Sequence, residues 1–136
     1  MNRPEEIRTA LTDSRTWFVV GLADNPSREA YRVAAYLQQQ GKRIVPIHPR
    51  AEVVHGEHGY PTIADAAAVL GAPDVVDVFI NSARAGEFAD QAVAAGAAVV
   101  WFQEGVIDVD AAQRVVDAGV TMVMDRCAVV EIPRLL

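Results

Sequence analysis

Five short apolar runs, separated by four stretches with helical spacing, constrain this chain more than any other feature. The runs are TWFVVGL (16–22), RIVPIHP (43–49), VVDVFIN (75–81), AAVVWFQ (97–103) and VTMVMDR (120–126). They are nearly continuous in Val, Ile, Phe and Trp, the pattern of strands covered on both faces. Between them, REAYRVAAYLQQQ, TIADAAAVL, AGEFADQAVAA and VDAAQRVVDA repeat apolar residues at helical spacing. Gly41, Gly71, Gly96 and Gly119 each fall just past one of these stretches, where a left-handed C-terminal cap takes glycine. A further helix, RPEEIRTALTD, precedes the first strand. Alternation of strands and helices demands right-handed crossovers and therefore a parallel sheet. The expected fold is an α/β three-layer Rossmann-like domain with a five-stranded parallel sheet ordered 3-2-1-4-5. A flavodoxin-like order, 2-1-3-4-5, is the alternative, because periodicity does not encode order. Residues 1–136 read as one domain, with no linker, repeat or low-complexity segment.

Sheets of this kind bind ligands at the carboxyl ends of their strands, where the strand order reverses. That rule gathers four segments: Gly21–Arg28, His48–Arg50, Asn81–Arg84 and Gln103–Val106. Gly21 lets the backbone turn tightly as it leaves the first strand. Pro26 and Ser27 read as a helix start, the serine hydroxyl capping free amides. Such a start is an anion site. Arg28 and Arg32 lie four apart, on one helical face, and together reach a diphosphate. After the second strand an NAD site wants a carboxylate for the ribose hydroxyls. This chain has His48, Pro49 and Arg50 there, which favours a phosphorylated ribose, as in NADP or coenzyme A.

Charge narrows the classes further. The net charge of −6 speaks against a general nucleic-acid binder. Yet residues 28–50 hold five basic side chains against one acidic, an island suited to a small phosphorylated ligand. No apolar run approaches the roughly 20 residues of a membrane span. The charged N-terminus does not read as a signal peptide, and one cysteine allows no intrachain disulfide, so a cytoplasmic protein is expected. In HGEHGYP, Gly56 and Gly59 break the helix that paired metal-binding histidines need, so the segment reads as a surface loop. Cys127 reads as an inert thiol beside a buried strand. Asp24 and Glu104 are the available acid–base groups, but spacing yields no paired carboxylates, no Ser–His or Cys–His couple and no P-loop lysine. No catalytic or metal-binding constellation is expected.

The stretches GLADNPSREAYRVAAYLQQQGKRIVPIHPR, GYPTIAD, PDVVDVFIN, VVWFQEGV and VMDRCAVVEIPRL cover nearly the whole chain. In them it resembles the stand-alone CoA-binding proteins, whose domain is similar to the N-terminal CoA-binding domain of the succinyl-CoA synthetase alpha subunit. The resemblance implies a Rossmann-like domain that holds coenzyme A or an acyl-CoA without catalysis of its own. The nucleotide contacts it implies fall on Gly21, Leu22, Ala23, Asp24, Asn25 and Pro26, with Arg28, Tyr31, Arg32 and Val33 beside them. Pro49 and Arg50 match the segment after the second strand that handles the CoA nucleotide. Phe79 and Asn81, then Gln103 and Gly105, match the segments along which the pantetheine arm runs. The chain departs from the family at Ala23 and Ala30, where serine is common, and at Ile80, where arginine is common. The partners implied are a CoA-dependent enzyme or a second copy of the chain. The alternatives are an NADP-linked or acyl-CoA ligase subunit working with a partner, and a scaffold without ligand.

Overall fold

The computed structural model describes residues 1–136. In chain order the elements are α1 (Pro4–Thr12), β1 (Thr16–Val20), α2 (Glu29–Gln39), β2 (Arg43–Ile47), α3 (Ile63–Leu70), β3 (Val75–Val78), α4 (Ser82–Ala94), β4 (Val99–Phe102), α5 (Val109–Asp117), β5 (Thr121–Val123) and α6 (Ala128–Leu135). All five strands pair in parallel, as the continuous apolar runs require. The Rossmann-like class holds.

The order of the strands corrects the expectation. The sheet runs β2-β1-β3-β4-β5, not 3-2-1-4-5. The physical reason is Pro46. A strand in the middle of a sheet needs donors on both edges, and proline has none, so it is confined to edge strands. Here β2 is an edge strand, with the Ile47 carbonyl turned to β1 and the backbone of the buried Pro46 facing the open edge. The segment after β2 then returns along that open edge: the Tyr60 amide donates to the Pro46 carbonyl at 2.9 Å, and the His48 amide to the Tyr60 carbonyl at 3.1 Å. Those two bonds skip the missing Pro46 donor. The chain reversal therefore lies between β1 and β3.

Side chains alternate between two apolar layers. Trp17, Val19, Ile44 and Trp101 face the layer covered by α1, α2 and α6. Phe18, Val20, Val76, Val78 and Phe102 face the layer covered by α3, α4 and α5. The four capping glycines all take positive φ. Two elements differ from the sequence expectation. Helix α4 begins three residues early, because the Asn81 side chain accepts from the Arg84 amide and caps it. Helix α6 was not expected at all: its Pro133 and short length conceal a periodicity that places Ala128 and Ile132 in the core. No helix is long and apolar enough to cross a membrane.

Candidate functional site

The carboxyl ends of β1 to β4 open into a crevice of about 740 Å³. Four loops build it, and each has a local reason to hold its shape.

At the first, Gly21 leaves β1 with φ +96° and donates its amide to the Ile47 carbonyl at 2.8 Å. A Cβ added there would stand 2.7 Å from the Phe79 carbonyl oxygen. Only glycine lets the β1 and β3 exits approach this closely before they part toward opposite faces of the sheet. Leu22 and Ala23 then bury against the core, and Asp24 projects outward.

The start of α2 departs from the expected cap. Asn25 Oδ1 accepts from the Ser27 amide at 3.1 Å and from the Ser27 hydroxyl at 2.7 Å. This local turn commits the serine to Asn25, as asparagine does in loops. The helix begins at Glu29 with Arg28 as an N-cap residue in extended conformation, and no side chain caps it. The amides of Glu29, Ala30 and Tyr31 consequently have no acceptor within the protein. Glu29 and Ala30 line the crevice, so donors and the positive end of the helix dipole face it.

Arg28 also lines the crevice, but Arg32 does not. With Arg28 outside the helix, the four-residue spacing no longer puts the two on one face. Arg32, Tyr31 and Val33 lie instead along a separate groove between α2 and α6, beside Cys127. The basic island is dispersed as well. Lys42 turns to the opposite end of the sheet, where its Nζ donates to the Leu11 and Ser14 carbonyls, and Arg43 opens β2 at that same end. Only Arg28 and Arg50 of the five cations reach the crevice.

After β2, His48 Nδ1 accepts from the Arg50 amide at 3.2 Å, shaping the turn that presents Arg50. Burial, and then the Arg50 charge, lower the His48 pKa, with Glu52 opposing, so the ring is neutral at pH 7. Arg50 Nε lies 3.5 Å from Glu52 Oε1, with both side chains substantially exposed, so the pair holds the guanidinium only weakly. Glu52 also accepts from the Asp24 amide at 3.3 Å and ties the first two loops together. Sequence reading missed Glu52; its only signal is an acidic residue two positions after a crevice arginine.

After β3 and β4, Phe79, Asn81, Gln103 and Gly105 line the crevice with Pro49 opposite. Ser82 Oγ donates to the Gly105 carbonyl at 3.3 Å and accepts from the Ile107 amide at 2.9 Å, while Asp125 accepts from the Gly105 amide at 2.7 Å. Ser82 and Asp125 fix this loop, and neither stood out in the sequence. Gln103 is 1% exposed. Its Nε2 reaches Glu29 only at 3.5 Å, and its Oε1 has no partner. The predicted site residues thus divide: Gly21, Ala23, Asn25, Arg28, Pro49, Arg50, Phe79, Asn81, Gln103 and Gly105 meet in one crevice, while Leu22, Asp24, Pro26, Tyr31, Arg32 and Val33 are not part of its lining.

The segment around His55 closes on itself through reciprocal bonds between Val54 and Glu57, and His55 Nε2 lies 2.7 Å from the Tyr31 carbonyl oxygen. It is a tight turn away from the crevice lining.

Comparison with known proteins places the geometry in a family. An uncharacterized protein of Bacillus subtilis, YneT, is 30% identical over 122 residues, covering 90% of this chain and 88% of its own. Among solved structures, a hypothetical protein from Pyrococcus horikoshii superposes with a TM-score of 0.90 at 34% identity, covering 98% of this chain and 92% of that one. A protein from Thermus thermophilus gives 0.89 at 31% identity, covering 98% and 99%. The sequence model described as "CoA binding domain" matches residues 15–133, a span that holds every loop of the crevice. The chain belongs to the CoA-binding domain family.

Proposed function

We propose that this protein binds coenzyme A or an acyl-CoA in the crevice and works as a non-enzymatic binding, carrier or regulatory module. The observation that carries the reading is the uncapped start of α2: three free amides at the positive end of a helix, with Arg28 beside them and Arg50 across the crevice. Amides and a guanidinium are the donors that a diphosphate recruits. Arg50, held only by an exposed carboxylate, is free to exchange Glu52 for a ribose phosphate. Gln103 Oε1 supplies an acceptor for an amide N–H of the pantetheine arm.

The titratable groups nearest the crevice support binding over catalysis. His48 spends Nδ1 on the Arg50 amide, Glu52 spends a carboxylate oxygen on Arg50 and Asp24, and Glu29 lies against Gln103. Each holds a loop. The resemblance to the synthetase alpha subunit makes a CoA-dependent enzyme the natural partner, one that would receive the ligand from this domain.

A phosphorylated ribose is also found in NADP, and Arg50 alone does not separate the two. Thermal unfolding with CoA, NADP or NAD at equal concentration does. CoA at about a thousand times its Kd stabilises the fold by about 4 kcal/mol and raises Tm accordingly. A larger shift with NADP than with CoA would replace the reading.

A further inference from the structure

The crevice changes character from one end to the other. Along the carboxyl edge of the sheet its residues come in spatial order from β2 through β1 and β3 to β4, with Arg50 at one end and Val106 at the other. Three strand spacings separate those ends, roughly 14 Å. The Arg50 end carries Arg28, Arg50 and the free amides of α2. The far end holds an apolar patch among polar groups: half-buried Phe88 and buried Val106 pack on the α3–α4–α5 side of the sheet beside Arg84 and Glu104, and half-buried Ile80 extends the patch back toward Gly21.

Building on the CoA reading above, we infer that this far end is an acyl pocket for a short, uncharged acyl group carried on the CoA sulfur. With the nucleotide at Arg50 and the arm passing Gln103, the thioester arrives at β4, against Ile80, Phe88 and Val106. A bare thiol leaves that apolar wall wet. A chain of a few carbons covers it, gaining about fourfold in affinity for each methylene removed from water.

The charges at this end set the class of acyl group. Arg84 is the cation present, and it is already engaged. Its Nη2 lies 2.8 Å from Glu87 Oε1, and its guanidinium carbon sits 5.5 Å above the Phe88 ring. Glu104 lines the crevice and adds negative charge. Counted together, Arg84, Glu87 and Glu104 give this end a net charge of −1, which a terminal carboxylate on the acyl chain has to approach. The pocket therefore selects against dicarboxylic acyl groups.

The test is calorimetric titration of the whole chain with CoA, acetyl-CoA, butanoyl-CoA and succinyl-CoA. The pocket predicts butanoyl-CoA about fifteenfold tighter than acetyl-CoA, for two further buried methylenes. Succinyl-CoA is expected to bind no more tightly than acetyl-CoA. In Phe88→Gln, with helix content verified by circular dichroism, the step between acetyl- and butanoyl-CoA collapses. CoA binding with acetyl- and butanoyl-CoA of equal affinity overturns the pocket and leaves the CoA reading standing. Succinyl-CoA binding tighter than butanoyl-CoA, or an undiminished step in Phe88→Gln, likewise overturns it. Failure of CoA itself to bind overturns both.

Discussion

Two residues in the middle of this molecule carry more than their side chains suggest. Gly21 combines a positive φ with a 2.7 Å gap to the Phe79 carbonyl where a Cβ would stand. Gly21→Ala therefore meets both backbone strain and a collision with main chain, which cannot move aside like a side chain. It is expected to cost about 2–3 kcal/mol in urea denaturation and to disrupt the crevice, because the β1 and β3 exits must separate. Asp77 is the other. It lies fully buried on the central strand β3, in register with Val19 and Trp101, and neither carboxylate oxygen has a partner. Burial pushes its pKa well above the ordinary value, so the folded protein holds this carboxyl protonated where the unfolded chain ionises it. The folded state then binds more protons, and this group makes stability fall as pH rises from the unfolded pKa toward the folded one. Asp77→Asn removes that dependence. Denaturation midpoints at pH 5 and pH 8 should lie closer together in the variant than in the parent, and a slope unchanged by the substitution would refute the assignment.

At the scale of elements, the sequence was most legible where a signal was local and least where it was relational. Each strand run, each capping glycine and four of the six helices could be read from periodicity, because burial on both faces of a strand and on one face of a helix writes a distinct pattern. A fifth helix, α1, was equally plain. Strand order was misjudged although Pro46 stood in view: a proline in the middle of RIVPIHP demands an edge, and 3-2-1-4-5 puts β2 inside the sheet. The start of α2 failed for a different reason. Pro26 and Ser27 form a good start signal in isolation, but the Asn25 side chain outcompeted the helix for Ser27 and moved the cap to Arg28. That shift separated Arg32 from Arg28 and left the three free amides on which the site depends. The start of α4 is the contrasting case, since Asn81 both caps it and lines the crevice. Asn81→Ala should cost about 1 kcal/mol in stability by chemical denaturation. It should also weaken CoA binding, because the Ser82 bonds that hold the β4 loop ride on that first turn.

For the molecule as a whole, the CoA reading proposed above has an acidic protein present one cationic end of one crevice to a phosphorylated nucleotide. The net charge of −6 works against any polyanion that must lie along the surface, while a compact ligand at one end of the crevice meets Arg28, Arg50 and the α2 dipole. On the proposed reading, Arg50 is the residue that would distinguish CoA from a nucleotide lacking the ribose phosphate. The direct test is paired calorimetric titration with CoA and dephospho-CoA, on the parent and on Arg50→Glu. In the parent, CoA should bind more tightly than dephospho-CoA by about 1.5–3 kcal/mol, the worth of a charged hydrogen bond. In Arg50→Glu that difference should vanish. Equal affinities for the two ligands in the parent, or a difference that survives the substitution, would contradict the assignment of the phosphate to this end of the crevice.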